Sequence, residues 1–124
     1  ILSPLKENGF AFKNKILKMG LEKKYCSTRA INTSVLSLAK NKKTTLNKLY
    51  LAGKKAIDLD GADVLILGCM SMAFHDITSI LEQKLKIPVI NPVKASLLMA
   101  ESLVKMKISH SKLAYPTPPS KIIY

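Results

Sequence analysis

Residues 61–72, reading Gly-Ala-Asp-Val-Leu-Ile-Leu-Gly-Cys-Met-Ser-Met, constrain the fold of this chain more than any other stretch. The apolar run at 64–67 is short, unbroken and partly β-branched, and it stops at Gly68. That pattern predicts a strand buried on both faces of a parallel sheet. Cys69 follows at once, and a helical pattern starts near Met72. A cysteine so placed stands beyond the carboxyl end of a strand, where open α/β sheets bind their ligands. Helix N-termini favour negative charge and bias a thiol towards thiolate, its reactive form. The competing reading is a small core cysteine, because free cysteine is among the most buried residue types.

The rest of the chain alternates strands and helices around this stretch. Ile1 and Leu2 read as the end of a strand, with Ser3 as a helix N-cap and Pro4 at the first helical position. A helix runs from there to about Met19, with Phe12, Ile16 and Met19 at helical spacing and Gly20 as its stop. Residues 25–38 read as a strand with an irregular exit. Thr44 or Thr45 then caps a helix whose Leu46, Leu49, Tyr50, Ala56 and Ile57 form one apolar face, ending around Asp60 and Gly61. Beyond the central strand, Phe74, Ile77, Leu81 and Leu85 mark a helix over 72–85, and residues 88–90 a short strand. Asn91 and Pro92 repeat the cap-then-proline device. A last helix carries Val93, Leu97, Ala100 and Val104 on one face and ends near Lys107, before an extended proline-rich stretch at 115–119 draped over a surface. This order predicts βαβ units: an α/β fold with a mostly parallel sheet and helices on both faces. Residues 1–107 make the domain and 108–124 an extended C-terminal tail.

A chain of 124 residues suffices for one modest core. It starts at Ile1, with no leader pattern and no apolar run long enough to span a bilayer, so a cytoplasmic protein with no membrane contact is the expectation. The two cysteines are far apart and give no disulfide framework; free thiols are expected. A net charge of +12 raises a polyanion partner, but Arg29 is the sole arginine and the lysines are scattered along the predicted helices. The densest cluster, Lys40, Lys42 and Lys43, falls in a predicted loop. Nucleic-acid readers rely on arginine forks and aromatic platforms, both scarce here, which makes a nucleic-acid partner the weaker reading.

Other chemistries lack their patterns. Cys26, Cys69, His75 and His110 fall in four separate elements with no ligand-pair spacing, so no metal site is expected. The five glycines are isolated, which excludes a phosphate-cradling loop, and no Gly-x-Ser-x-Gly elbow is present.

Residues 60–69, Asp-Gly-Ala-Asp-Val-Leu-Ile-Leu-Gly-Cys, followed by Met72, resemble the second cysteine motif of the aspartate/glutamate/hydantoin racemase superfamily. Pro-Val-Ile-Asn-Pro-Val at 88–93 with Ala100-Glu101 resembles that family's next strand and helix. His110-Ser111-Lys112 with Tyr-Pro-Thr-Pro at 115–118 is similar to the hydantoin racemase branch, as are Gly20-Leu21 and Ser-Thr-Arg-Ala-Ile at 27–31. Together these matches cover nearly the whole chain, in order.

The resemblance implies one half of a two-domain fold in which each half supplies a cysteine. One thiolate removes the acidic proton beside a carbonyl and a second thiol returns a proton to the opposite face, without a cofactor. Thiols titrate near about 8.5 and can serve either role. It implies Cys69 as the catalytic thiol, with Gly68, Met70, Ser71, Met72 and Ser3 around a small-molecule substrate, a 5-substituted hydantoin or an Asp/Glu-type amino acid. The amides at 70–72 would steady the developing enolate. The first cysteine motif is not in these residues. Cys26 precedes its strand whereas Cys69 follows one, so the two fall at opposite edges of a parallel sheet. The resemblance therefore implies a partner, the N-terminal half of the family fold, and no racemisation by this chain alone. A non-catalytic interaction module of the same fold is the alternative, with self-association into a homo-oligomer as its sign. Met70 and Ser71 stand where the family has Ala or Thr followed by Gly, and Asn91 where it has an aspartate.

Overall fold

The computed structural model describes residues 1–38, 40–73 and 77–119. Four short strands carry the fold among these residues: β1 (Leu2–Ser3), β2 (Arg29–Ala30), β3 (Leu65–Ile66) and β4 (Val89–Ile90). β1 and β2 pair in parallel, Leu2 opposite Arg29 and Ser3 opposite Ala30. β3 and β4 pair likewise, Leu65 opposite Val89 and Ile66 opposite Ile90. A parallel bridge between Leu2 and Leu67 joins the pairs, and there the Gly68 N–H donates to the Leu2 carbonyl at 2.7 Å. The sheet order is therefore β2–β1–β3–β4. Helices α1 (Asn8–Lys18), α2 (Val35–Leu38), α3 (Lys42–Asp60), α4 (Met70–Ala73) and α5 (Ile77–Leu85) lie between the strands, and α6 (Pro92–Lys105) follows β4. This is the expected α/β architecture.

The two faces of the sheet differ. Leu2, Leu65, Leu67 and Val89 enter one core with Leu49, Ala52 and Ala56 of α3 and Leu81 of α5. α3 comes so close at Gly53 that a Cβ there would lie 2.7 Å from Leu85 Cδ1 and 3.0 Å from Leu65 Cδ1. On the opposite face a Cβ at Gly68 would meet Phe12 Cε2 at 3.0 Å, which places α1 there. No residue of α1 is fully buried, and its cover is partial. The expectation of a strand buried on both faces is thus corrected: Leu65 is 0% exposed and Ile66 42%. Val64 and Ile90 are open to a similar degree.

Several local expectations change for identifiable reasons. Ser3 is a strand residue rather than an N-cap; α1 starts at Asn8 after Glu7, with no side-chain cap. Gly20 does stop the helix, at φ +67°. The strand expected over 25–38 shrinks to Arg29–Ala30, because Asn32 at φ +48° turns the chain and Val35–Leu38 coils into α2. Asn41, not Thr44 or Thr45, caps α3, its side chain accepting from the Thr44 N–H at 3.0 Å. Thr45 is buried and donates to the Leu38 carbonyl. Lys42 and Lys43 consequently open a helix instead of occupying a loop. Gly61, at φ +71°, closes α3 in the left-handed conformation that glycine tolerates. The helix expected from Met72 starts at Met70, while Phe74 and His75 lie outside the described residues. α6 opens as expected at Asn91 and Pro92 but ends at Lys105, with Met106 as its C-cap.

Of the face expected on α6, Leu97, Ala100 and Val104 are exposed. From 108 to 119 every residue is exposed, and the tail folds on itself through Tyr115 N–H to Ser111 O at 2.9 Å instead of draping over the domain. No helix of the described residues is long and apolar enough to cross a membrane.

Candidate active site

Cys69 is a free, half-buried thiol between β3 and α4, at the carboxyl end of a central strand. It opens onto a cavity of about 280 Å³. The walls come from remote segments: Ile1 before β1, Phe12 and Ile16 on α1, Ile66 on β3, Met70 at the start of α4 and Pro92 at the start of α6. The lining is almost wholly apolar, with Lys15 contributing a charged side chain.

The residue before the thiol stands where a side chain fits only if its neighbours shift. A Cβ at Gly68 would lie 2.9 Å from Ile1 Cγ2 and 3.0 Å from the Leu2 carbonyl oxygen, a backbone atom fixed by the ladder. Glycine lets β3 cross β1 closely and release the chain into the cavity.

The expected site residues divide into those at the cavity and those beneath it. Gly68, Cys69 and Met70 line it. Met70 is 51% exposed beside the thiol. Ser71 is half-buried. Met72 is buried in the core, and its N–H donates to the Cys69 carbonyl at 3.1 Å, which withdraws that amide from the expected enolate contacts. Ser3 is also fully buried, with its hydroxyl donating to Leu5 O at 2.9 Å. Neither residue lines the cavity.

Asn91 has a positional role. Its Oδ1 accepts from the N–H groups of Val93 and Lys94, and its Nδ2 donates to the Ala73 carbonyl at 3.1 Å. One buried side chain thus starts α6 and holds the end of α4, the short helix that begins just after the thiol.

At the amino edge of the sheet lies a cluster the sequence reading missed. The Arg29 guanidinium pairs with Asp60 through both Nε and Nη2, and Ser27 Oγ donates to the same carboxylate. The Arg29 hydrogen bonds, then that of Ser27, hold the Asp60 carboxyl down at about 2 against the partial burial that opposes them. The available signal was the chain's only arginine, with Asp60 directly before the helix-ending Gly61. The cluster ties the end of α3 to the start of β2.

Cys26 is exposed and precedes β2, the other side of the sheet from Cys69 along the strand direction. His110 lies in the tail, edge-on to Tyr115 at 5.5 Å between ring centroids. Among the described residues no group of three His, Cys, Asp or Glu side chains could hold a metal ion. Every described lysine is exposed.

Fold and site together define a parallel α/β protein with a free thiol facing an apolar cavity at the carboxyl edge of the sheet. The family model described as Asp/Glu/Hydantoin racemase matches residues 1–100. The chain belongs to that family. It is 32% identical over 103 residues to the hydantoin racemase of Pseudomonas sp. (strain NS671), covering 82% of this chain and 41% of that protein. It is also 32% identical over 107 residues to the hydantoin racemase of Paenarthrobacter aurescens, covering 86% and 44%. Among solved structures, the allantoin racemase from Pseudomonas fluorescens superposes with a TM-score of 0.82 at 30% identity, over 99% of this chain and 52% of that one. The allantoin racemase from Klebsiella pneumoniae gives 0.83 at 26%, over 99% and 50%. The chain thus spans about half the length of these relatives, and the fold is half of theirs.

Proposed function

We propose that Cys69 is one of two acid/base thiols of a cofactor-independent racemase acting on a 5-substituted hydantoin. The observation that carries this reading is the placement of the thiol: half-exposed, at the carboxyl end of a central strand, in a family whose curated relatives here are hydantoin racemases. In this mechanism the Cys69 thiolate takes the proton from ring carbon C5. The electron pair moves into the adjacent carbonyl, and the flat enolate is steadied by the amides of Met70 and Ser71, which stand in the first turn of α4 where intrahelical acceptors do not exist. The almost wholly apolar lining suits an apolar C5 substituent, and Lys15 is the charged side chain in that wall with which a second carboxylate would have to pair once desolvated.

A single thiol reaches one face of the ring. Cys69 can remove a proton and return one to the same side, which exchanges hydrogen but retains configuration. Inversion needs a second acid on the opposite face, and in this reading that acid lies outside the residues described.

The test is an enantiopure 5-benzylhydantoin incubated with the chain in D₂O, with C5–H loss followed by proton NMR and configuration by chiral chromatography. Wild type and Cys26→Ser should accelerate exchange over buffer with the enantiomer retained, and Cys69→Ser should not. Equal exchange by wild type and Cys69→Ser would refute the assignment.

A further inference from the structure

Among the described residues, the lining of the Cys69 cavity carries one charged side chain, and it stands on α1. Phe12, Lys15, Ile16 and Met19 line the cavity together. Their three- and four-residue spacing puts them on one stripe of the helix, so Lys15 interrupts an apolar face where that face meets the cavity of the thiol. No carboxylate lines the same walls. Among the described residues Lys15 has no ion pair, since the salt bridges run from Arg29 to Asp60 and from Lys54 to Asp58.

Two ordinary roles of a lysine do not account for this position. A lysine in the last turn answers the negative end of the helix dipole, but Lys18 stands in the same turn without lining the cavity. A lysine also lays its methylenes over apolar surface while its ammonium stays in water. Lys15 is exposed, so this placement leaves its stem on the wall and an unpaired cation at the mouth. Such a cavity fits a molecule with an apolar stem and an anionic end. Burial stabilises the stem, and the charge pair forms at the rim, where neither ion is fully stripped of water.

We propose that Lys15 is a specificity-determining residue of the Cys69 cavity, taking the anionic end of its ligand. Resting on the racemase reading, the substrate class is a hydantoin whose C5 side chain is a methylene chain ending in a carboxylate.

The charge preference at Cys69 is measurable without turnover. Iodoacetate and iodoacetamide both alkylate a thiolate, the sulfur displacing iodide, but only iodoacetate is an anion. The ratio of their rates at Cys69, read by peptide mass spectrometry, cancels the thiolate fraction and reports local charge, with Cys26 as the reference in the same sample. Lys15→Met keeps the apolar stem and should lower the Cys69 ratio roughly threefold at low ionic strength. Lys15→Arg should preserve it. Lys13→Met removes the same charge from the far side of α1 and should leave the ratio unchanged. A Cys69 ratio indifferent to Lys15→Met, or one that falls equally in Lys13→Met, would overturn the proposal. Deuterium exchange at C5 tests the substrate class. Lys15→Met should raise KM for hydantoin-5-propionate roughly fivefold with kcat kept, and leave both constants unchanged for 5-benzylhydantoin. An unmoved KM for the propionate would overturn that class. A wild type that exchanges neither hydantoin, while its alkylation ratio still depends on Lys15, refutes the racemase reading and supports the anion contact.

Discussion

The side chain of Asn91 serves two helices at once, and two substitutions separate those services. Asn91→Ala removes both: the N-cap of α6, contributing about 1 kcal/mol, and the donor to the buried Ala73 carbonyl, whose loss costs about 1–3 kcal/mol. The expected total is roughly 2–4 kcal/mol. Asn91→Asp preserves the shape and the cap, and its negative charge at a helix N-terminus adds about 0.3–1 kcal/mol. What it lacks at neutral pH is a proton for Ala73 O, so it should be less stable than wild type by roughly 1–2 kcal/mol. Urea unfolding followed by circular dichroism resolves such differences, and melting points should drop by roughly 3–5 °C per kcal/mol. Acidification supplies the internal check. Once protonated, the aspartic acid can donate to Ala73 O, so the gap between Asn91→Asp and wild type should narrow as pH falls towards about 4. An Asn91→Asp protein as stable as wild type at pH 7 would refute the reasoning, because the Ala73 bond would then contribute no more than the gain of about 0.3–1 kcal/mol at the helix N-terminus. Because α4 begins right after the thiol, alkylation of Cys69 should also change rate in Asn91→Ala, with Cys26 as the reference.

Two further outcomes follow from the geometry. Gly68→Ala should destabilise the chain by about 1–3 kcal/mol, because the new methyl meets the fixed Leu2 carbonyl as well as side chains, and denaturant titration reads this directly. The Asp60 carboxyl lies at about 2 when folded, below its unfolded value near 3.9, so its contribution is fully present above about pH 4 and is lost as pH falls through 2. Asp60→Asn should therefore lower stability at pH 7 and flatten the acid limb of the stability curve; an unchanged limb would show that the Arg29 contact does not couple to folding.

Much of the α/β order was legible because its signals are local. Pro92 after Asn91, Gly20 after a helical run and Gly61 before the central strand are chain-terminating chemistry that needs no tertiary partner, and all three act as read. The thiol was legible for the same reason, since a strand ending in Gly-Cys announces its own turn. What failed depends on contacts the sequence does not display. Ser3 has the residue type of an N-cap, but the β1–β2 ladder claims its backbone and Leu5 its hydroxyl. The reach of α3 back to Asn41 hid a cap behind two lysines that composition reads as loop. The cavity walls at Ile1, Phe12, Ile16 and Pro92 are brought to Cys69 only by the sheet order, which no spacing along the chain encodes.

The largest misreading, that of the central strand, bears on the rest. An unbroken run of Val, Leu, Ile and Leu should be covered on both sides, yet only Leu65 and Leu67 are. A β-branched residue at an exposed strand position gains little from its apolar surface unless something later covers it. Val64, Ile66 and Ile90 are of this kind, and so are the leucines of α6. The run fits a strand covered on both faces in a body larger than these residues, and in the proposed mechanism the second thiol lies outside the residues described. Under the proposed mechanism, exchange at C5 needs Cys69 alone, whereas inversion is decided by whether an acid stands at the far face of the ring.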